Sequence, residues 1–185
     1  IITINRALKS FVCAGANSCA LEASSIGISQ GRLTSLDIDT ALYTNLGHDH
    51  LDFHGTWSDY GRTKMSLFQL ESVKNAIVNI DDEFGRTILD QIGGQKVVWS
   101  CSCLSSVSLR TAPKITATGV VSKAEGTKFT LNYTNSKYIL NTSLVGMFNV
   151  ANLLLVIGAL LLSGYEIRDV RKVLKALGGV PGRME

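Results

Sequence analysis

The stretch Asn75-Ala76-Ile77-Val78-Asn79-Ile80-Asp81-Asp82, with the helical run 84–92 and then Lys96-Val97-Val98-Trp99-Ser100, decides the fold. Residues 75–80 form a short apolar run between polar flanks and read as a buried strand. Residues 84–92 carry helical periodicity and stop at Gly93-Gly94. Residues 96–100 read as the next strand. Strand, helix, strand in this order requires a crossover and therefore a parallel pair.

Upstream, residues 39–44 form a further strand leading into Thr44-Asn45-Leu46-Gly47-His48-Asp49-His50-Leu51-Asp52-Phe53-His54-Gly55, which holds all 3 histidines of the protein. Polar residues just past a strand end are where open α/β sheets build sites. Three readings compete here: a zinc site using His50 and His54 at i, i+4, ordinary surface histidines, or Asp49 and His50 positioning a metal–phosphate group. Residues 58–70 read as a helix with Ser58 as N-cap. Its apolar stripe is Tyr60, Leu67 and Phe68, and Lys64 falls on that stripe. A lysine there either snorkels to the surface or partners an anion, or is chemically modified.

Before that, residues 3–14 read as a helix with Ala7, Leu8, Phe11 and Val12 on one face, and residues 19–23 as a short buried strand ending at Glu22-Ala23-Ser24-Ser25. Glu22 is either an exposed strand-end carboxylate or a group that needs a cation or donors. Residues 27–33, with Gln30 and Arg32, read as a loop or helical turn. Downstream, residues 114–121, 128–133 and 137–141 are short and partly alternating, with turn signals at Glu125-Gly126 and Asn135-Ser136, and read as an antiparallel meander beside the main sheet. Gly146 opens a long apolar helix whose N-terminal turns carry Asn149 and Asn152 on one face. These two either hold a nucleotide base or ribose or cap the helix locally. Residues 166–177 form a last amphipathic helix with Ile167, Val170, Leu174 and Leu177 inward, and Pro181-Gly182-Arg183 reads as linker. The fold class expected is α/β, a doubly wound, mostly parallel sheet with an added small antiparallel meander.

Composition narrows the function. The chain has 185 residues, enough for one domain with a real core, and 45% of them are hydrophobic. A net charge of +3 from dispersed lysines and arginines gives no basic patch, so no nucleic-acid partner is expected. The apolar run 150–162 contains Asn152 and falls short of the roughly 20 residues that span a bilayer. It reads as a core helix, and no membrane partner is expected. Cys13 and Cys19 stand alone while Cys101 and Cys103 form C-x-C rather than C-x-x-C. They read as reduced thiols of a cytoplasmic protein. The missing initial methionine and the Pro181-Gly182 turn near the end are expected of a piece of a longer protein.

Several motifs in order resemble the central ATP-binding domain of the Mur ligases, the amide-forming enzymes of peptidoglycan precursor synthesis. They are Glu22-Ala23-Ser24-Ser25, Gln30-Gly31-Arg32, Thr44-Asn45 with Asp49-His50-Leu51-Asp52-x-His54-Gly55, Tyr60-x-x-x-Lys64-x-x-Leu67-Phe68, Gly146-x-Phe148-Asn149-x-x-Asn152 and Pro181-Gly182-Arg183-Met184-Glu185. The spacing of Ser24, Gln30 and Arg32 and the closing Gly-Arg-Met-Glu look most like the MurE branch, which adds the third residue of the stem peptide. The resemblance implies a partial central domain over 1–180 and the start of a linker over 181–185.

It further implies that ATP phosphorylates the carboxylate of a UDP-N-acetylmuramoyl dipeptide and that an amino acid's amine displaces the phosphate. Glu22, His50 and Lys64 would hold magnesium, with Lys64 carbamylated and, with His50, serving catalysis. Ser24, Gln30 and Arg32 would contact the muramoyl substrate, and Asn149, Asn152 and Arg183 the nucleotide. The parent would be a monomeric cytoplasmic enzyme. Ile26 departs from the family pattern, where a histidine often follows the two serines. No Gly-x-x-Gly-Lys-Thr phosphate loop occurs, so the chain by itself is expected to lack ligase activity. Two alternatives stand beside this reading: a folylpolyglutamate or cyanophycin synthetase relative, against which the Gln-Gly-Arg and Gly-Arg-Met-Glu motifs argue, and a non-catalytic metal- or nucleotide-binding module.

Overall fold

The structure is a computed structural model that describes residues 2–47, 49–92, 96–104 and 114–178. Its contacts divide the chain into two units. One holds the described residues up to Asp39 together with Gly47–Val73, and the other holds Thr40–Leu46 and the described residues from Lys74 onward.

The second unit is built on a six-stranded sheet in sequential order: β1 (Thr40–Tyr43), β2 (Asn75–Asn79), β3 (Val97–Ser102), β4 (Ile115–Lys123), β5 (Gly126–Tyr133) and β6 (Ser136–Thr142). The β1–β2, β2–β3 and β3–β4 pairs are parallel, and β4–β5 and β5–β6 are antiparallel. The expected meander is therefore present. It is continuous with the parallel strands through Cys101 opposite Ile115 and Ser102 opposite Thr116.

Among the described residues this unit has the helices α5 (Glu83–Gln91), α6 (Met147–Leu162) and α7 (Ile167–Ala176). The Asp82 side chain caps α5 and also accepts from the Tyr43 hydroxyl at 2.6 Å and the Leu46 amide at 3.2 Å, which ties the end of β1 to the start of α5. α6 buries Val150, Leu153, Leu154, Leu155 and Ile157. At Gly158 a Cβ would lie 3.2 Å from Ile77 Cγ2 and 3.5 Å from Ile115 Cδ1, so the missing side chain lets the helix approach the sheet. The amphipathic spacing of α7 is realised, with Val170 and Leu174 buried and Ile167 and Leu177 packed against the same core.

The first unit contains α1 (Ile2–Cys13), α2 (Ser25–Ser29), α3 (Leu51–His54) and α4 (Trp57–Gln69). The helix α1 forms as expected; none of its residues is buried, and Phe11 and Val12 of its apolar face are exposed. Two expectations are corrected here. Residues 19–23 form no strand: residues 16–24 have no regular structure and Cys19–Glu22 are exposed. An apolar run supplies the composition of a buried strand, but a strand also needs a neighbour to pair its backbone. Thr56, not Ser58, caps α4, its hydroxyl accepting from the Asp59 amide at 3.1 Å. The Gly93-Gly94 stop and the linker 181–185 lie outside the described residues.

Candidate active site

α2 is only five residues long, and it gathers the three substrate-type residues read from the sequence. Ser24 is its N-cap, accepting from the Gly27 amide at 3.1 Å. Gln30 is its C-cap, its N–H donating to the Ile26 carbonyl at 3.0 Å. Arg32 follows, its amide bonded to the Gly27 carbonyl at 2.9 Å. A Cβ at Gly27 would sit 2.9 Å from Ser24 Oγ and 3.7 Å from Arg32 Cδ, so a larger residue there would disturb the cap. The side of α2 formed by Ser25 and Gly27 is buried, while Ser24, Gln30 and Arg32 are exposed. The Ser24 hydroxyl accepts one hydrogen bond in capping and keeps its own proton to donate to a ligand.

The histidine stretch ends in α3. His50 precedes it in the left-handed region at φ 61° and makes no side-chain capping bond. That conformation is uncommon for a residue with a Cβ and is a pointer to function rather than to stability. His50 is exposed, and its ring meets Tyr60 edge-on at 6.4 Å between centroids. His54 is half-buried and stacks on Tyr60 at 5.1 Å, and its Nε2 lies 2.9 Å from Ser25 Oγ.

α4 supplies the floor. Its N-terminus is closed by the reciprocal pair of Thr56 and Asp59. The Thr56 hydroxyl and then the Arg62 guanidinium hold the Asp59 carboxyl below its ordinary range. Tyr60, Leu67 and Phe68 are buried as the apolar stripe required. Lys64, one turn beyond Tyr60, is half-buried, with its Nζ 5.2 Å from the centre of the Tyr60 ring. Its awkward place is thus real, and an aromatic face rather than an anion receives the ammonium.

Tyr60 is therefore the hub around which the structure brings His50, His54 and Lys64. Glu22 is exposed and makes no hydrogen bond or ion pair with them among the described residues. No group of three or more His, Cys, Asp or Glu able to hold a metal occurs among the described residues. The zinc pairing of His50 with His54 is further weakened because Ser25 occupies His54 Nε2. Magnesium prefers oxygen donors, and an ammonium at Lys64 would repel it. A carbamate at Lys64, one negative charge shared by two oxygens, and the carboxylate of Glu22 are each donors of the kind that ion takes.

In the other unit, the Asn149 amide donates to the Val145 carbonyl at 2.9 Å, the local capping use, while Asn152 is exposed. The Gly146 amide donates to Ser122 Oγ at 2.9 Å, fixing the helix entry to β4. Arg183 lies outside the described residues. The cysteines are free thiols. Burial pushes Cys101 up to about 12, with Cys103 and Asp81 adding to it, and burial followed by Asp81 pushes Cys103 up to about 12. They are protonated core residues, not ligands.

Sequence reading assigned no partner to Ser25 and treated His54 only as a zinc candidate or surface residue. Their bond joins positions 29 residues apart, and no local pattern announces it. The Thr56 cap, expected at Ser58, had a local signal that could have found it, the Thr56-x-x-Asp59 spacing.

The Mur ligase middle domain model matches residues 1–160. The UDP-N-acetylmuramoyl-L-alanyl-D-glutamate--2,6-diaminopimelate ligase of Janthinobacterium sp. (strain Marseille) is 36% identical over 100% of this chain and 37% of its own length. The protein of the same name from Clostridium tetani is 32% identical, over 100% of this chain and 36% of its own. A solved structure of a ligase of that name superposes with a TM-score of 0.88 at 31% identity, covering 99% of this chain and 37% of that one. The Thermotoga maritima UDP-N-acetylmuramate-alanine ligase MurC, at 18% identity and a TM-score of 0.61 over 83% of this chain and 32% of its own, shares the fold. The chain thus spans a little over a third of the curated relatives it matches.

Proposed function

This chain belongs to the Mur ligase family, as its middle domain, and on that premise we propose that it is the central part of an ATP-dependent ligase. The ligase adds the third amino acid, diaminopimelate, to UDP-N-acetylmuramoyl-L-alanyl-D-glutamate in peptidoglycan precursor synthesis. The single observation that carries this reading is the gathering of Ser24, Gln30 and Arg32 on one small element, with His50 and Lys64 converging on Tyr60. The names of the relatives support the choice of substrate and amino acid. The parent works in the cytoplasm as a monomer. Among the described residues no helix is long and apolar enough to cross a membrane.

Amide formation from a carboxylate and an amine needs the carboxylate activated. The γ-phosphoryl group of ATP passes to the dipeptide's carboxylate, the incoming amine attacks the acyl carbon, and phosphate leaves with the bonding pair. Ser24, Gln30 and Arg32 bind and orient the muramoyl dipeptide through a hydroxyl, an amide and a guanidinium. Carbamylated Lys64, His50 and Glu22 would hold magnesium, which would spread the charge of the transferring group. The carbamate forms when the neutral Lys64 amine attacks carbon dioxide and releases a proton to water. Asn149, Asn152 and Arg183 are the residues this reading assigns to the nucleotide.

The full-length protein that contains this chain tests the proposal by phosphate release. Turnover should need ATP, magnesium, the muramoyl dipeptide and an amino acid together, with diaminopimelate preferred over lysine. ATP hydrolysis indifferent to the dipeptide would reject the reading, and a preference for lysine would reject the choice of amino acid.

A further inference from the structure

α2 spans five residues, far too few for a helix to hold itself together. Its orientation must come from what its buried side touches. On that side stands Ser25, 2% exposed, whose hydroxyl meets His54 Nε2 at 2.9 Å. The His54 ring in turn lies on Tyr60, 5.1 Å between centroids and 25° from parallel. Tyr60 is 5% exposed and carries the Lys64 ammonium 5.2 Å from its ring centre. One unbroken run of side chains therefore joins the base of α2 to Lys64.

We propose that His54 is a positioning residue, clamping the substrate-contacting element α2 to the Lys64-bearing helix α4 through Ser25 on one side and Tyr60 on the other. The proposal rests on the functional reading above for what Ser24, Gln30 and Arg32 touch, and it assigns His54 no contact with substrate, metal or ATP. The physical reason is the geometry of the pair. A buried hydroxyl without a partner is costly, and the imidazole offers an acceptor or donor at Nε2 in either tautomer. Its flat face meanwhile stacks on Tyr60, which a non-aromatic side chain cannot match. Removing either half frees α2 to rotate. The substrate residues then leave the positions that match Lys64, while the ATP-binding residues are untouched.

The test is a double-mutant cycle in the full-length protein that contains this chain: Ser25→Ala, His54→Leu, the pair combined, and His54→Gln. A lost buried hydrogen bond corresponds to about a tenfold change in an equilibrium. The KM for the muramoyl dipeptide should therefore rise about tenfold in each single variant, with the KM for ATP unchanged. The double variant should be no worse than the singles, since both break one contact. His54→Gln, whose amide reaches the Ser25 hydroxyl but cannot stack on Tyr60, should recover only part of the loss. In parallel, hydrogen exchange at the Ile28, Gln30 and Arg32 amides, which bond within and just after α2, should quicken about tenfold in both single variants, with α4 unaffected. Effects that add in the double variant, or a fall in kcat with both KM values unchanged, would overturn the clamp. So would unchanged exchange in α2, whatever the kinetics. The exchange arm needs no turnover: if the wild-type protein does not act on the dipeptide, the functional reading fails and exchange alone decides the clamp.

Discussion

The unit that holds the sheet buries nearly continuous apolar runs, with Ala76, Ile77 and Val78 of β2 and Leu153, Leu154 and Leu155 of α6 all at most 4% exposed. The unit that holds α2, α3 and α4 buries Ser25 and Gly27 but leaves Ser24, Gln30, Arg32 and His50 exposed, on helices of four or five residues or next to them. The first is held by area removed from water, which many side chains share and no single one decides. The second also buries Tyr60, Met65, Leu67 and Phe68 of α4, but its short elements are placed by a few directional contacts: a cap at Ser24, a hydrogen bond at His54, a stacked ring at Tyr60 and a cap at Thr56. Substitutions should therefore separate the two, with losses of function from one unit and losses of stability from the other.

The sharpest separation is expected at Lys64. Lys64→Ala in the full-length protein should lower turnover by on the order of 10³-fold or more while changing unfolding free energy by less than about 1 kcal/mol. Short carboxylic acids added to the assay should restore part of the rate by supplying the lost anion. Unimpaired turnover by Lys64→Ala would break the comparison at its base. In the sheet unit, Leu154→Ala should have the reverse signature. Leu154 is 0% exposed, so a cavity there costs about 2–5 kcal/mol, read by denaturant unfolding, with the KM for the dipeptide unchanged.

The buried thiols add a pH dependence to the same unit. Cys101 and Cys103 ionise at about 12 in the folded chain against 9.0 for a free thiol. The folded value is the raised one, so their contribution to stability is whole below 9.0 and is lost as the pH rises from there toward about 12. Unfolding midpoints across that window should fall in the wild type and fall less in Cys101→Ala. The exposed Cys13 and Cys19 should react with an alkylating reagent long before the other two. The smallest effect is expected at Thr56. Thr56→Ala should cost about 1 kcal/mol and let the Asp59 carboxyl rise back toward 3.8, because the Thr56 hydroxyl is the largest of the causes that lower it. An NMR titration of Asp59 that did not move would contradict the capping account.

The same contrast governs what a reader of the sequence can recover. The strands at residues 75–80 and 96–100, the meander and the inward positions of α7 were legible because burial repeats with the period of the element. Residues 19–23 had the composition of a buried strand, yet no pairing partner is encoded in them. The apolar face of α1 had the right spacing, and spacing alone does not say whether anything covers it. At the site, Lys64 was legible as an anomaly because a cation on an apolar stripe violates the pattern around it. Ser24, Gln30 and Arg32 were legible only as a motif, and their gathering on one short helix came from the fold. The contact of Ser25 with His54 was not legible at all, being a tertiary bond between two residues each ordinary in its own neighbourhood.

The chemical state of Lys64 decides the proposed chemistry, and it can be read directly. The full-length protein equilibrated with ¹³C-labelled bicarbonate should show one protein-borne carbamate resonance by carbon NMR, absent from Lys64→Ala. A spectrum with no carbamate signal, or one whose signal survives in Lys64→Ala, would contradict the claim that this lysine is converted from a cation into an anionic magnesium ligand.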